Sequence, residues 1–191
     1  MLGSVRLSGD RIAALGDVAP NDADHIIDAN GRVLGPGFIA THNHSDWLIL
    51  PERDALAKLT QGITTAVVGQ DGDSPYPLAS FYAALEAASA KINVAAYAGH
   101  NTLRDEVMGA DFKRPASNEE MKAMSALLEQ ELAAGAVGLS TGLEYEPGIH
   151  SEMREVVHLA QLTADAGGRY ISHIRSEDRW FDDALDEIIE I

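Results

Sequence analysis

Two histidines one residue apart close the tract Pro36-Gly37-Phe38-Ile39-Ala40-Thr41-His42-Asn43-His44-Ser45-Asp46. In an extended strand, residues two apart point to the same side, so the imidazoles of His42 and His44 can reach one ion. Imidazole suits zinc, nickel or iron, and a carboxylate can complete such a site. The chain contains no cysteine, so any metal must be held by nitrogen and oxygen, and disulfides are excluded. His173 ends a later apolar run, in Tyr170-Ile171-Ser172-His173-Ile174-Arg175-Ser176-Glu177. Three more runs end in the same polar way: Gln70-Asp71-Gly72-Asp73, Gly99-His100-Asn101-Thr102-Leu103-Arg104, and Ser140-Thr141-Gly142-Leu143-Glu144-Tyr145-Glu146-Pro147-Gly148. Taken singly, each has a plainer reading. His-x-His occurs on many surfaces, a lone histidine is often a bonded neighbour of the core, and Asp-Gly is ordinary turn chemistry. Five apolar runs that all end in polar residues are better explained by one shared face.

The elements that must position these residues alternate in type. Strands are expected at Phe38–Thr41, Thr64–Val68, Val94–Ala98, Val137–Ser140 and Tyr170–His173, each nearly continuous in apolar or small residues, as buried parallel strands are. Helices are expected near 52–60, 78–90, 117–134, 151–167 and from about 178 onward. The third opens with the capping box Ser117-Asn118-Glu119-Glu120. Five β-then-α units make a parallel sheet, either doubly wound or part of a (β/α)8 barrel. No Gly-x-Gly-x-x-Gly follows the first strand, so a dinucleotide site has no support. Before residue 36 the pattern differs: Val5–Leu7, a Ser8-Gly9-Asp10 turn and Arg11–Leu15 predict one hairpin. His25–Asp28, Asn30-Gly31 and Arg32–Leu34 predict a second. This gives an N-terminal β element over 1–35 and a β/α domain over 36–191.

The 191 residues suffice for one sizeable core, and 46% apolar with 23% charged residues is an ordinary globular composition. Thirty acidic against 14 basic side chains, a formal charge of -16, repel phosphate backbones and anionic membranes, so neither nucleic acid nor membrane is expected as a partner. Neither a signal peptide nor a spanning segment is visible, and a cytoplasmic location is expected.

The tract Gly35–Asp46 resembles the opening of the barrel in amidohydrolase-superfamily enzymes. Gly138–Gly148 is similar to the strand-four motif of N-acyl-D-amino-acid deacylases, and Gly99–Arg104 and Ile171–Glu177 resemble that family's third and fifth strand ends. The resemblance runs from about residue 5 to the end. It implies a zinc (or other divalent metal) hydrolase that removes the acyl group from small N-acylated D-amino acids, on a (β/α)8 barrel with a β-sandwich built from both termini. It implies His42 and His44 at a second, weaker metal position, His173 at the tight one, and Asp71 where many members have a cysteine ligand. Ala40 stands where an acidic residue is frequent. One or two ions would acidify water and polarise the acyl carbonyl, while a carboxylate carries the proton to the leaving amine. Tyr145 and His100 are candidates to hydrogen-bond the oxyanion. Arg104 and Arg175 are candidates for the substrate carboxylate, or structural arginines. Glu144 is a candidate substrate contact or bridging carboxylate.

A dihydroorotase- or hydantoinase-like enzyme is the alternative, but it would need a carboxylated strand-four lysine, and no lysine follows Lys122. An inactive fragment is the other. His42, His44 and His173 are expected to converge within about 4–8 Å of one another, sharing one ion or two adjacent ions. A closed barrel takes eight strands and about 250 residues, so the chain is expected to be incomplete and weakly active alone.

Overall fold

The computed structural model describes residues 3–191, and the chain divides between Pro36 and Gly37 into two compact units. In the first, β1 (Ser4–Ser8) and β2 (Arg11–Gly16) form an antiparallel hairpin, with Val5 opposite Leu15 and a bulge at Arg6/Leu7. Arg6 reaches back to Asp24 at 2.6 Å and to the Ala19 carbonyl at 2.7 Å. The second hairpin is absent. Asn30 and Gly31 do make their turn, with φ of 50° and 75° and Arg32 N–H donating to the Ala29 carbonyl at 3.0 Å. Yet 25–28 and 32–34 form no ladder, and Ile27 and Val33 stay exposed.

The second unit holds the remaining strands: β3 (Phe38–Ala40), β4 (Ile63–Val68), β5 (Asn93–Ala96), β6 (Ala98–Gly99), β7 (Gly138–Gly142) and β8 (Arg169–His173). Its helices are α1 (Asp46–Ile49), α2 (Leu56–Leu59), α3 (Leu78–Ala87), α4 (His100–Met108), α5 (Asn118–Ala133), α6 (Met153–Asp165) and α7 (Phe181–Glu190). The strands make two parallel three-stranded sheets, β3-β4-β5 and β6-β7-β8. β5 and β6 are one run of chain broken at Tyr97. There Tyr97 N–H donates to Val68, on the β4 side, at 3.0 Å, while the Ala96 carbonyl accepts from Val137, at the start of β7, at 2.9 Å. Spatial order therefore follows chain order without reversal, as along a barrel arc and unlike a doubly wound sheet, whose order reverses at a switch point.

Two apolar clusters hold this unit together. Ile49, Ala66, Val68, Leu78, Phe81 and Ala96 form one, under β4 and β5. Leu103, Met124, Leu128, Leu139 and Leu159 anchor the other, between β7 and helices α4 to α6. α5 begins with the expected capping box: Glu120 N–H donates to Ser117 Oγ at 3.3 Å and Ser117 N–H to Glu120 Oε2 at 2.7 Å. α4 is a correction, because residues 100–108 read as a polar strand-end loop. The helix buries His100, Asn101 and Arg104 beside Leu103 and Met108, so its inner face is largely polar and carries no apolar period. Among the described residues, no helix is long and apolar enough to cross a membrane.

Candidate metal centre

β3 ends at Ala40, and two amide side chains fix the turn beyond it. Asn43 Nδ2 donates to the carbonyls of Ala40 (3.3 Å) and Val67 (3.2 Å), and Asn43 Oδ1 accepts from Ser45 N–H at 3.1 Å. Gln70 Nε2 donates to Thr41 (3.0 Å) and Val67 (3.1 Å). These bonds tie the ends of β3 and β4 together and bring His42 and His44 over Asp71. His42 Nε2 lies 3.3 Å and His44 Nε2 3.1 Å from the same oxygen, Asp71 Oδ2, with the rings edge to face at 5.4 Å. Asp71 is in the left-handed region at φ 56°, which Asp tolerates better than most residues. The three ligand atoms lie within 4.8 Å of one another. Two imidazole nitrogens and a carboxylate oxygen form a donor set that divalent transition ions accept, and both imidazoles are about half exposed and reachable.

A second set stands at the ends of β7 and β8. His173 Nε2 is 3.0 Å from Glu144 Oε2 and 3.7 Å from Glu177 Oε1, and these three also form a possible ligand group. The histidines thus fall into two sets, with His173 in the second. Tyr145 belongs with the second set: its ring packs on His173 at 4.5 Å, and its hydroxyl is 3.3 Å from His173 Nδ1. Burial first, then the charges of Asp71, Glu144 and Glu177, raise the Tyr145 phenol above its ordinary range. Tyr145 therefore keeps its proton near neutral pH and is a hydrogen-bond donor. Burial also raises Asp46 and Asp73; for Asp73 the neighbouring carboxylates of Asp105, Asp46 and Asp71 add to it.

Residues 25–191 match the sequence model of the amidohydrolase family. The chain belongs to that family. Across 98% of its length this amidohydrolase chain is 39% identical to N-acyl-D-glutamate deacylase of Alcaligenes xylosoxydans xylosoxydans, of which it covers 43%. It is 37% identical to D-aminoacylase of the same organism, over 96% of the chain and 42% of that protein. A crystal structure of D-aminoacylase superposes with a TM-score of 0.92 at 37% identity, over 100% of this chain and 45% of that one. N-acyl-D-glutamate deacylase of Bordetella bronchiseptica, solved with zinc and a phosphonate mimic of the tetrahedral intermediate, superposes at 0.91 with 36% identity, over 97% and 44%. The chain therefore spans less than half the length of these relatives.

Three candidate residues of the amidohydrolase chain lie elsewhere. His100 and Arg104 are wholly buried on α4. His100 Nε2 is 2.7 Å from Glu155 Oε1, Arg104 Nη1 donates to both Glu155 oxygens at 2.7 Å, and Arg104 Nη2 donates to the Phe112 and Arg114 carbonyls. Burial alone would raise Glu155, but the hydrogen bonds and charges of His100 and Arg104 outweigh it and hold the carboxyl below its usual value. Neither side chain is free to meet an oxyanion or a substrate carboxylate. Arg175 is likewise engaged, by both Glu187 oxygens at 2.8 and 2.7 Å and by the Ile149 carbonyl at 3.1 Å. Polar residues after a strand look alike in sequence whether they face the open end or tuck under a helix. Glu177 is not among the sequence candidates, although its place four residues after His173 is a usable signal. Asn43 and Gln70 carry no signal beyond their position at strand ends.

Proposed function

We propose that the chain forms the metal-holding part of a hydrolase that removes the acyl group from small N-acylated D-amino acids. The observation that carries this reading is the convergence of His42 and His44 on Asp71 Oδ2 at 3.3 and 3.1 Å. The D-selective deacylases among its relatives supply the substrate class. His42, His44 and Asp71 would hold one divalent ion, with His173 beside Glu144 and Glu177 as the second holding group. A bound ion would acidify water and polarise the acyl carbonyl. The protein's own part is then to place and protonate. Tyr145, kept protonated, would donate its single O–H toward the acyl oxygen, its ring held in place by packing on His173 at 4.5 Å. His173 Nε2, 3.0 Å from Glu144 Oε2, is the nitrogen that would face the second ion. Exposed Glu144 and Glu177 are the carboxylates available to take up or pass on a proton.

In the same reading, residues 36–191 are the first β/α units of a (β/α)8 barrel, and 1–35 belong to a composite β-sandwich. The acidic, cysteine-free composition suits the cytoplasm and disfavours nucleic acid and anionic membrane as partners. The test is metal uptake and turnover by the purified chain. Zinc is expected to bind, and to be lost in a His42→Ala, His44→Ala double variant; a chain that binds no zinc overturns the reading. Acetate release from N-acetyl-D-glutamate is followed beside its L enantiomer and a cyclic amide. Any turnover is expected on the D form and to fall about 100- to 1,000-fold in Tyr145→Phe, whereas preference for the cyclic amide would favour a cyclic amidase.

A further inference from the structure

Asn101 belongs to neither ligand set, yet it sits where the two meet. The side chain is wholly buried, and its Nδ2 donates to the Asp71 carbonyl at 3.4 Å. On one flank is Gly72, where a Cβ would come within 2.7 Å of Asn101 Cγ and Oδ1. On the other is Gly148, where a Cβ would lie 2.5 Å from Oδ1. Between these flanks Gly142 is just as tight: a Cβ there would overlap the Asp71 carbonyl and lie 2.9 Å from Tyr145 Cδ2. The Gly72 carbonyl also accepts from Thr102 N–H at 3.2 Å, which pins the turn to the start of α4. A single amide is thus wedged between the turn that carries Asp71 and the loop that carries Glu144 and Tyr145. Among the described residues, Asn101 Oδ1 has no hydrogen-bond donor. A buried carbonyl left so is unfavourable, and a purely space-filling side chain would avoid it.

We propose that Asn101 is a positioning residue that fixes the Asp71 turn against the Tyr145 loop and so sets the spacing of the two ligand groups. The proposal rests on the reading of Asp71 as a metal ligand. Groups that orient a ligand without touching the ion alter metal affinity about 10- to 100-fold when removed, and Asn101 is such a group for Asp71.

The test uses the full chain, with Co2+ as the probe. Cobalt binding is read by visible absorption, and the histidine ring signals of the metal-free protein by NMR. Asn101→Ala is expected to weaken Co2+ binding about tenfold or more. In the metal-free protein it should move the ring signals of His42, His44 and His173 together. Asn101→Ser keeps a short donor; it should fall between and carries the test if the alanine variant does not fold. Leu132→Ala on α5, remote from both loops, serves as a destabilised control and should leave affinity and signals unchanged. Affinity within twofold of the parent and unmoved ring signals in the Asn101 variants would overturn the proposal. Absence of Co2+ binding by the parent, or undiminished binding by the His42→Ala, His44→Ala variant, would instead defeat the metal-centre reading. The ring signals would then decide by themselves whether Asn101 couples the two loops.

Discussion

Two of the histidine and carboxylate sets among the described residues differ in almost everything but residue type. His42, His44 and Asp71 stand open, with two half-exposed imidazoles aimed at one carboxylate oxygen. His100, Glu155 and Arg104 are sealed, with side chains 0%, 1% and 0% exposed, and both Glu155 oxygens are taken by Arg104. The difference is valence left over. Among the described residues no arginine satisfies the carboxylate of the open set, so an ion can be shared among the three groups. In the sealed set the arginine already supplies the cation, and the cluster ties α4 to α6.

The contrast breaks most visibly at Glu155. Glu155→Ala leaves Arg104 charged and unpaired in the core, and a loss of about 3–5 kcal/mol is expected in urea unfolding. A loss under 1 kcal/mol would mean that the sealed set is not what joins these helices. Asp71→Asn should do the opposite. Asn also tolerates the left-handed backbone, so stability should stay within about 0.5 kcal/mol of the parent while metal affinity drops about 100-fold or more. Unchanged metal content would remove Asp71 from the centre. The finest distinction is in pH. The folded Glu155 carboxyl is held below its usual value, so its contribution is complete above the unfolded value and fades as pH falls through the folded one. The melting-temperature gap between the parent and Glu155→Gln should therefore be widest near neutrality and close in acid. A gap that widens in acid would reverse the assigned direction.

The strands were legible in sequence because they read as nearly continuous runs of apolar or small residues, although, apart from the two-residue β6, only Gly138–Gly142 is buried along its whole length; Ile63–Val68 and Arg169–His173 fall within a residue of expectation at each end. The start of α5 was legible because the Ser117/Glu120 capping box is a local signal. α4 was hidden because its buried face carries an amide, an imidazole and a guanidinium. The role of His100 and Arg104 could not be read, since their partner Glu155 lies about fifty residues on, in an unremarked helix position. Similarly, Asn30-Gly31 announced a turn, and no local pattern could say whether the residues on either side would pair. Local geometry was visible in sequence, and long-range pairing was not.

The interruption at Tyr97 has a mechanical consequence. The sheet that ends in β5 carries His42, His44 and Asp71, and the sheet that begins with β6 carries Glu144, Tyr145 and His173, each over its own apolar cluster. The strand that changes partners at Tyr97 is therefore a joint between two plates, with one group of prospective ligands on each. The packing of Asn101 against the Gly72 turn and the Gly148 loop crosses this joint, so the spacing of the two groups depends on contacts at the break rather than on the ladder hydrogen bonds within either sheet.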